Sequence, residues 1–220
     1  MRILELTLAA HAPEELRTFY SRLGFQEFEA AGGSDGYAMQ VGYTRLNFVP
    51  GDRNARYHFA FNVRPDQLDE MVEWCKHNRL TLLPDPKTKA EVVDFPAWRA
   101  KSVYFYDAAG NIVEFIARAG IERAGNAPKF SAKSFTGISE IGIVCDEVAA
   151  MREWLSATHG IVDFTRQQNT NEFSAMGDDE GLLLLVPAGR KWFMGDFAAE
   201  RFPVSLLCKQ GVNEVKLILP

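Results

Sequence analysis

The order of predicted strands and helices repeats along the chain, and this repeat limits the folds that the chain can adopt. Each copy reads strand, helix, strand, strand, strand. The copies span residues 2–50, 57–117 and 139–187. A fourth copy, residues 201–220, has two predicted strands and no helix between them. The chain therefore consists of three βαβββ modules and one truncated module.

A single βαβββ module covers one face of its sheet with its helix and leaves the other face bare. Two modules are needed to enclose a site between curved sheets. We therefore predict an α+β fold in which repeated βαβββ modules form curved mixed sheets around a cleft. The repeat predicts a complete two-module domain at 1–118, a linker at 119–136 and a degenerate, truncated second domain at 137–220.

Composition excludes several classes of partner. The 29 acidic and 24 basic residues give a formal net charge of −5, and neither sign forms a long run. Such a surface predicts no binding to nucleic acid or to an anionic membrane. No apolar run reaches the roughly 18–20 residues that span a bilayer, and the first residues do not resemble a signal peptide. Three widely spaced cysteines fit a reducing compartment, so we expect a cytoplasmic protein.

Three polar side chains occupy unusual places in the predicted strands. Glu5 and His58 lie in the first strands of the first two modules, and Glu114 lies in the last strand of the second. Because strand residues alternate between faces, Glu114 shares its face with Ile112 and Ile116. A charged carboxylate there must be exposed, paired, protonated or bound to a cation.

If the concave faces meet, Glu5, His58 and Glu114 converge on a divalent cation and leave coordination positions open for a substrate. The alternative interpretation is structural. In that case Glu5 is solvated, His58 is a core residue with a backbone partner, and Glu114 pairs with a cation such as Arg45.

Four segments carry a resemblance to a known family. They are ILELTL, LRTFYSRLGF, YHFAFNV and SVYFYDAAGNIVEFIAR, which lie within about the first 118 residues. In these segments the chain resembles the vicinal oxygen chelate superfamily, which includes glyoxalase I, bleomycin-resistance proteins and extradiol dioxygenases. The last segment, with its Asp-x-x-Gly-Asn turn, is the most specific.

The resemblance implies a divalent metal ion (Zn, Ni, Mn, Co or Fe) held by Glu5, His58 and Glu114. Family members usually have histidine at the place of Glu5, so this position departs from the pattern. Glu5 and Glu114 are the expected catalytic residues. Asn47 falls near a fourth ligand position of glyoxalase I and is expected to be a weaker ligand or a substrate contact.

The long segment before the strand SVYFYD supplies further candidates for the substrate site. Trp98 is expected to form a wall for an apolar or aromatic substrate, Arg99 to bind a carboxylate and Tyr104 to point its phenol into the cavity. The alternative for Trp98 and Arg99 is a packed tryptophan and a solvated cation.

The third and fourth copies do not repeat the proposed site. Glu140 matches Glu5, but Leu184 replaces Asn47, the strand PVSLLC lacks a histidine and Lys216 stands for Glu114. We therefore expect no second metal site. The C-terminal half is expected to support packing, a homodimer contact or a lid.

Three functions remain open at this point. The first is a metal-dependent enzyme of the lyase, isomerase or transferase type that chelates adjacent oxygens of a small-molecule substrate. The second is an extradiol-type ring-cleavage dioxygenase. The third is a metal-free protein that binds a small ligand, as bleomycin-resistance proteins do.

Overall fold

A computed structural model describes residues 1–28, 36–51, 55–121 and 128–219 of the chain. Its helices are α1 (Pro13–Arg22), α2 (Leu68–His77) and α3 (Val148–His159). Its strands are β1 (Arg2–Ala10), β2 (Gln26–Phe28), β3 (Tyr37–Val41), β4 (Thr44–Pro50), β5 (His58–Val63), β6 (Val93–Phe95), β7 (Ala100–Tyr106), β8 (Ile112–Arg118), β9 (Gly137–Cys145), β10 (Ser174–Asp178), β11 (Gly181–Pro187), β12 (Val204–Gln210) and β13 (Asn213–Leu219).

The helices form where amphipathic segments have clear boundaries. Helix α1 starts with Pro13, whose fixed φ suits the first helical turn, and buries Leu16 and Tyr20. Helix α3 ends at Gly160, whose φ of +66° closes the helix in the left-handed conformation that glycine adopts without strain.

The strands of the described residues form one connected sheet with two halves. The terminal half contains β1–β4 together with β12 and β13 and is ordered β2-β3-β4-β1-β12-β13. The central half contains β5–β11 and is ordered β10-β11-β9-β5-β8-β7-β6. The halves meet where Ile3 of β1 pairs with Ile138 of β9.

The pairing of modules crosses the predicted linker. The second module pairs with the third through β5 and β9, and the first pairs with the truncated fourth through β1 and β12. In this sheet, residues 1–118 therefore do not close a cleft between their own two modules. The segment predicted as a linker is also packed in part, since Phe130 and Phe135 are buried in the core.

In the second and third modules, the sequence pattern predicts the first strand after the helix at TLLP (81–84) and at DFTRQQ (163–168), and both predictions are wrong. Residues 81–84 are not a strand, and β6 takes the edge position beside β7. Residues 163–168 make only an isolated bridge from Asp163 to Met176, because Gln167 turns back to bond the carbonyl of Phe164.

The main core lies between the helices and the convex face of the sheet. It is rich in aromatic residues, among them Tyr20, Phe59, Phe61, Phe115 and Phe135. In β5, β8 and β9 these residues alternate with polar side chains on the other face, so the core fixes which side chains face the cleft. In the described residues, no helix combines the length and apolar character that crossing a membrane requires.

Candidate metal centre

Three buried side chains of the central half converge above Ala60. Ala60 of β5 lies directly opposite Glu114 of β8 on one side and opposite Glu140 of β9 on the other. His58 lies two residues earlier in β5 and therefore on the same face. The small side chain of Ala60 leaves room for all three. One ligand atom from each of His58, Glu114 and Glu140 lies within 4.8 Å of the other two.

His58 has a defined orientation. Its Nδ1 lies 3.2 Å from the carbonyl oxygen of Ile112, and a carbonyl only accepts, so Nδ1 carries the proton and donates. Burial lowers the pKa of His58, which favours the neutral ring. Its Nε2 then presents a lone pair 3.5 Å from Oε2 of Glu114 and 4.0 Å from Oε2 of Glu140.

Burial also shifts both carboxyl groups. Desolvation raises the pKa of Glu114, and the neighbouring hydroxyl groups of Ser102 and Tyr104 oppose this rise. Desolvation and the nearby charge of Glu114 raise the pKa of Glu140 to about 7. When both carboxyl groups are ionised, the cluster holds two mutually repelling carboxylates and an imidazole lone pair, all of them acceptors. A cation between them would remove this conflict.

Arg118 offsets part of the negative charge. Its side chain is fully buried, and its guanidinium forms an ion pair with Glu140. The guanidinium also lies 5.3 Å from the ring of Trp98 and 5.7 Å from that of Phe164. Arg118 thus engages Oε1 of Glu140, whereas Oε2 is the oxygen nearest His58. Because strand residues alternate between faces, the sequence places Arg118 on the same face of β8 as Glu114, four residues earlier. The sequence does not show that Arg118 pairs with Glu140, because Glu140 belongs to another module.

The cluster forms the floor of a cavity of about 270 Å³. Most of its wall is apolar or aromatic, and its polar side chains besides the cluster include Gln167 and Arg190. The lining residues are His58, Phe95, Trp98, Tyr104, Glu114, Ile116, Glu140, Gln167, Phe173, Leu184, Arg190, Trp192 and Phe193. Such a cavity suits a small molecule with a large apolar part.

The cavity contains several of the residues proposed from the sequence. Trp98 lines it and donates a hydrogen bond from Nε1 to Oε1 of Gln167 at 3.1 Å. Tyr104 lies opposite Glu114 in the sheet, and its ring stacks on His58 at a centroid distance of 6.3 Å. Arg99 is exposed and does not line the cavity.

Glu5 and Asn47 lie together in the terminal half. Asn47 is buried and donates from Nδ2 to Oε1 of Glu5 at 3.0 Å. Glu140, not Glu5, completes the cluster with His58 and Glu114, because β5 pairs with β9. The matched positions of Glu5 and Glu140 in their modules were visible in the sequence, but the partner strand of β5 was not.

Sequence reasoning missed the lining residues between 164 and 199. Residues 188–199, which we call the covering loop, pack over the cleft with Trp192 and Phe197 buried. The loop is closed at its base by a bond from the Gly189 amide to the Ala199 carbonyl and one from the Ala199 amide to the Arg190 carbonyl. No regular periodicity marks such a loop, so only its aromatic content could have indicated it.

A solved structure is similar in fold to most of the chain. A Bacillus subtilis protein named as a candidate dioxygenase superposes with a TM-score of 0.61 at 13% sequence identity, over 84% of this chain and 63% of that one. The chain therefore shares its overall fold with that protein. It spans less than two thirds of the length of that Bacillus protein. The predicted α+β fold of curved sheets is confirmed.

Other solved structures match a shorter part of the chain. A lactoylglutathione lyase from Agrobacterium tumefaciens matches 52% of this chain and 92% of its own, with 20% identity and a TM-score of 0.41. A glyoxalase/bleomycin resistance protein/dioxygenase from Nocardioides matches 58% and 90%, with 19% identity and a TM-score of 0.41. No protein-family model and no curated protein sequence matches the chain.

Proposed function

We propose that His58, Glu114 and Glu140 bind a divalent metal ion and that the chain is a metal-dependent enzyme acting on a small molecule in the cavity above them. One observation carries the proposal. Three buried acceptor groups face one another over Ala60, and all three line the cavity. One imidazole and two carboxylates are suitable ligands for Zn, Ni, Mn, Co or Fe.

A bound ion would act as a Lewis acid that stabilises negative charge on substrate oxygens, a contribution of several kcal/mol. The protein supplies orientation and proton transfer. Ile112 fixes the tautomer of His58, as second-shell partners of metal ligands commonly do. Because Arg118 holds Glu140, Glu114 is the carboxylate that can accept a proton from the substrate. Burial favours this role by raising its pKa.

The ligand set favours a redox-neutral reaction of the lyase, isomerase or transferase type. Non-haem iron that activates dioxygen is typically held by two histidines and one carboxylate, and this cluster has one histidine. Ring-cleavage dioxygenase activity is the alternative suggested by the name of the Bacillus protein. Oxygen uptake with catechol after anaerobic iron loading would favour it.

The Arg118–Glu140 ion pair favours a second candidate, a metal-free protein that binds a small ligand. A guanidinium that already neutralises Glu140 lowers the need for a metal ion. The fold is compatible with both candidates, which differ in whether the protein binds a metal ion.

Metal analysis decides between them. Protein purified without chelator, stripped and then dialysed against Zn²⁺, Mn²⁺, Ni²⁺, Co²⁺ or anaerobic Fe²⁺, is expected to retain close to one ion per chain by mass spectrometry. His58→Ala and Glu140→Gln are expected to lose it. Retention of less than a tenth of an ion in every case would contradict the metal-dependent proposal.

Glu5→Gln is the matched control. Glu5 has the same place in its module as Glu140, since a register irregularity precedes each of them in β1 and β9. We expect Glu5→Gln to keep the metal content of the unmodified protein. Loss of metal in this variant would return Glu5 to the ligand set.

A further inference from the structure

Arg190 brings a positive charge to the wall of the cavity. It belongs to the covering loop and is half-buried. Among the described residues, no ion pair within 4.0 Å includes its guanidinium, and the charge of Glu172 acts on it from farther away. Its contacts are with the ring of Phe173 at 5.2 Å and, at 3.5 Å, with the carbonyl oxygen of Lys191. A half-buried guanidinium with five N–H groups therefore keeps most of its donors available.

The position of this charge contrasts with that of the other cation near the cluster. Arg118 is fully buried and engaged by Glu140, whereas Arg190 belongs to the surface that a ligand would touch. Guanidinium groups bind carboxylates in a bidentate manner and with more energy than neutral hydrogen bonds. The cavity therefore has one acidic end, at Glu114 and Glu140, and one basic side chain, at Arg190.

The rest of the wall favours a flat ring. Trp98 and Phe173 lie on one part of it, with ring centroids 6.3 Å apart. Tyr104 and Phe193 lie on another, 5.7 Å apart and edge to face. Aromatic side chains stack on planar ligands and gain energy beyond burial alone. The volume of about 270 Å³ is at or just below the lower limit of roughly 300 Å³ for typical ligand pockets, which restricts the ligand to about one ring.

We propose that the cavity binds a small aromatic carboxylic acid, with its carboxylate on Arg190 and its ring against the aromatic wall. This assignment rests on the proposed function, because it places a substrate above the candidate metal centre. It adds that the substrate is an anion and that the covering loop determines specificity. The ring then lies between Arg190 and the cluster, and its far edge faces Glu114.

Calorimetric titration with benzoate tests the assignment. Metal-stripped protein is used first, so that the probe carboxylate has no metal ion to bind. Benzoate is expected to bind, and benzamide and propionate are each expected to bind at least tenfold more weakly, because one lacks the charge and the other the ring. Arg190→Gln is expected to weaken benzoate about tenfold or more.

Lys191→Gln is the matched control, since Lys191 carries the same charge on the next, exposed residue. It is expected to leave benzoate affinity within twofold. Arg190→Lys keeps the positive charge but lacks the planar guanidinium. Its affinity for benzoate is expected to lie between those of Arg190→Gln and Lys191→Gln. Equal binding of benzoate and benzamide, or unchanged affinity in Arg190→Gln, overturns the assignment.

The same titration on Zn²⁺-treated protein separates this inference from the proposed function. Benzoate that binds only in the presence of Zn²⁺ and regardless of Arg190 would support the metal centre and overturn the assignment of the carboxylate. Binding that depends on Arg190 in protein that retains no metal would support the assignment and contradict the metal-dependent enzyme.

Discussion

The two halves of the sheet place a glutamate at a similar strand position, and among the described residues only the central half builds a buried cluster around it. In the central half, Ala60 lies between Glu140 and Glu114. In the terminal half, Leu207 lies between Glu5 and Lys216 in the same way. A basic residue thus replaces the second carboxylate, and a leucine replaces the alanine that leaves room for ligands.

The terminal half also lacks the solvent-excluding cover that buries the cluster of the central half. Ser205 stands at the place of His58, and β12 and β13 form an antiparallel hairpin in place of the parallel pair β5 and β8. Ile218, at the place of Ile112, is 74% exposed. A carboxylate in a given strand position therefore becomes part of a buried cluster only where neighbouring strands and a covering loop remove the solvent.

The largest difference between the halves should appear when Arg118 is replaced. At pH 8 we expect Arg118→Met to lower the free energy of unfolding by about 3–5 kcal/mol, because the buried charge of Glu140 loses its partner. Arg2→Gln, which breaks an exposed ion pair with Glu180, should cost about 1 kcal/mol or less. Urea unfolding measures both, and similar small losses would refute the contrast.

Two isoleucines at equivalent places in the two halves test how far each half is shielded from solvent. Ile112→Ala should cost about 2–5 kcal/mol, because the side chain is fully buried under the covering loop. Ile218→Ala at the equivalent exposed place should cost less than about 1 kcal/mol. Equal losses in thermal or urea unfolding would show that the terminal half is covered in solution.

The turn before β8 gives the central half a pH dependence. Asp107 is buried, accepts hydrogen bonds from Asn111 and Tyr20, and has its pKa raised by desolvation to about 6. The folded state therefore holds this proton more tightly, and its contribution to stability is lost as pH rises from about 4 to about 6. The expected loss is about 2–3 kcal/mol.

Asp107→Asn should remove that part of the pH dependence. Urea midpoints of both proteins across pH 4–7 give the difference, and parallel profiles would contradict it. The turn also positions His58, since Oδ1 of Asn111 accepts from the amide of Tyr57 at 2.8 Å. In the terminal half, the turn that precedes β13 has Val212, which is 94% exposed.

The smallest expected effect comes from copying the ligands into the terminal half. With Ser205→His and Lys216→Glu, this half has the same three ligand types as the central half. We expect the double variant to retain no additional ion by mass spectrometry, because Leu207 and the open face remain. A second ion per chain would show that residue identity alone distinguishes the halves.

The sequence predicts the modules well because periodicity and turns are local signals. It also places His58 and Glu114 on cleft-facing sides of their strands, since alternation requires no knowledge of neighbours. It does not identify Glu140, because the partner of β5 depends on how modules pair over long distances. Arg190 and Trp192 escape prediction for a similar reason, since the covering loop is positioned by packing on the cleft.

The pairing of β5 with β9 also bears on how the chain folds. His58 and Glu140 are about 80 residues apart in sequence, so the cluster depends on non-local contacts, which form slowly. All six residues of β5 are buried in the finished sheet. During synthesis, β5 therefore exposes an unpaired apolar edge until β9 emerges, and a fragment of residues 1–118 would keep that edge open to aggregation.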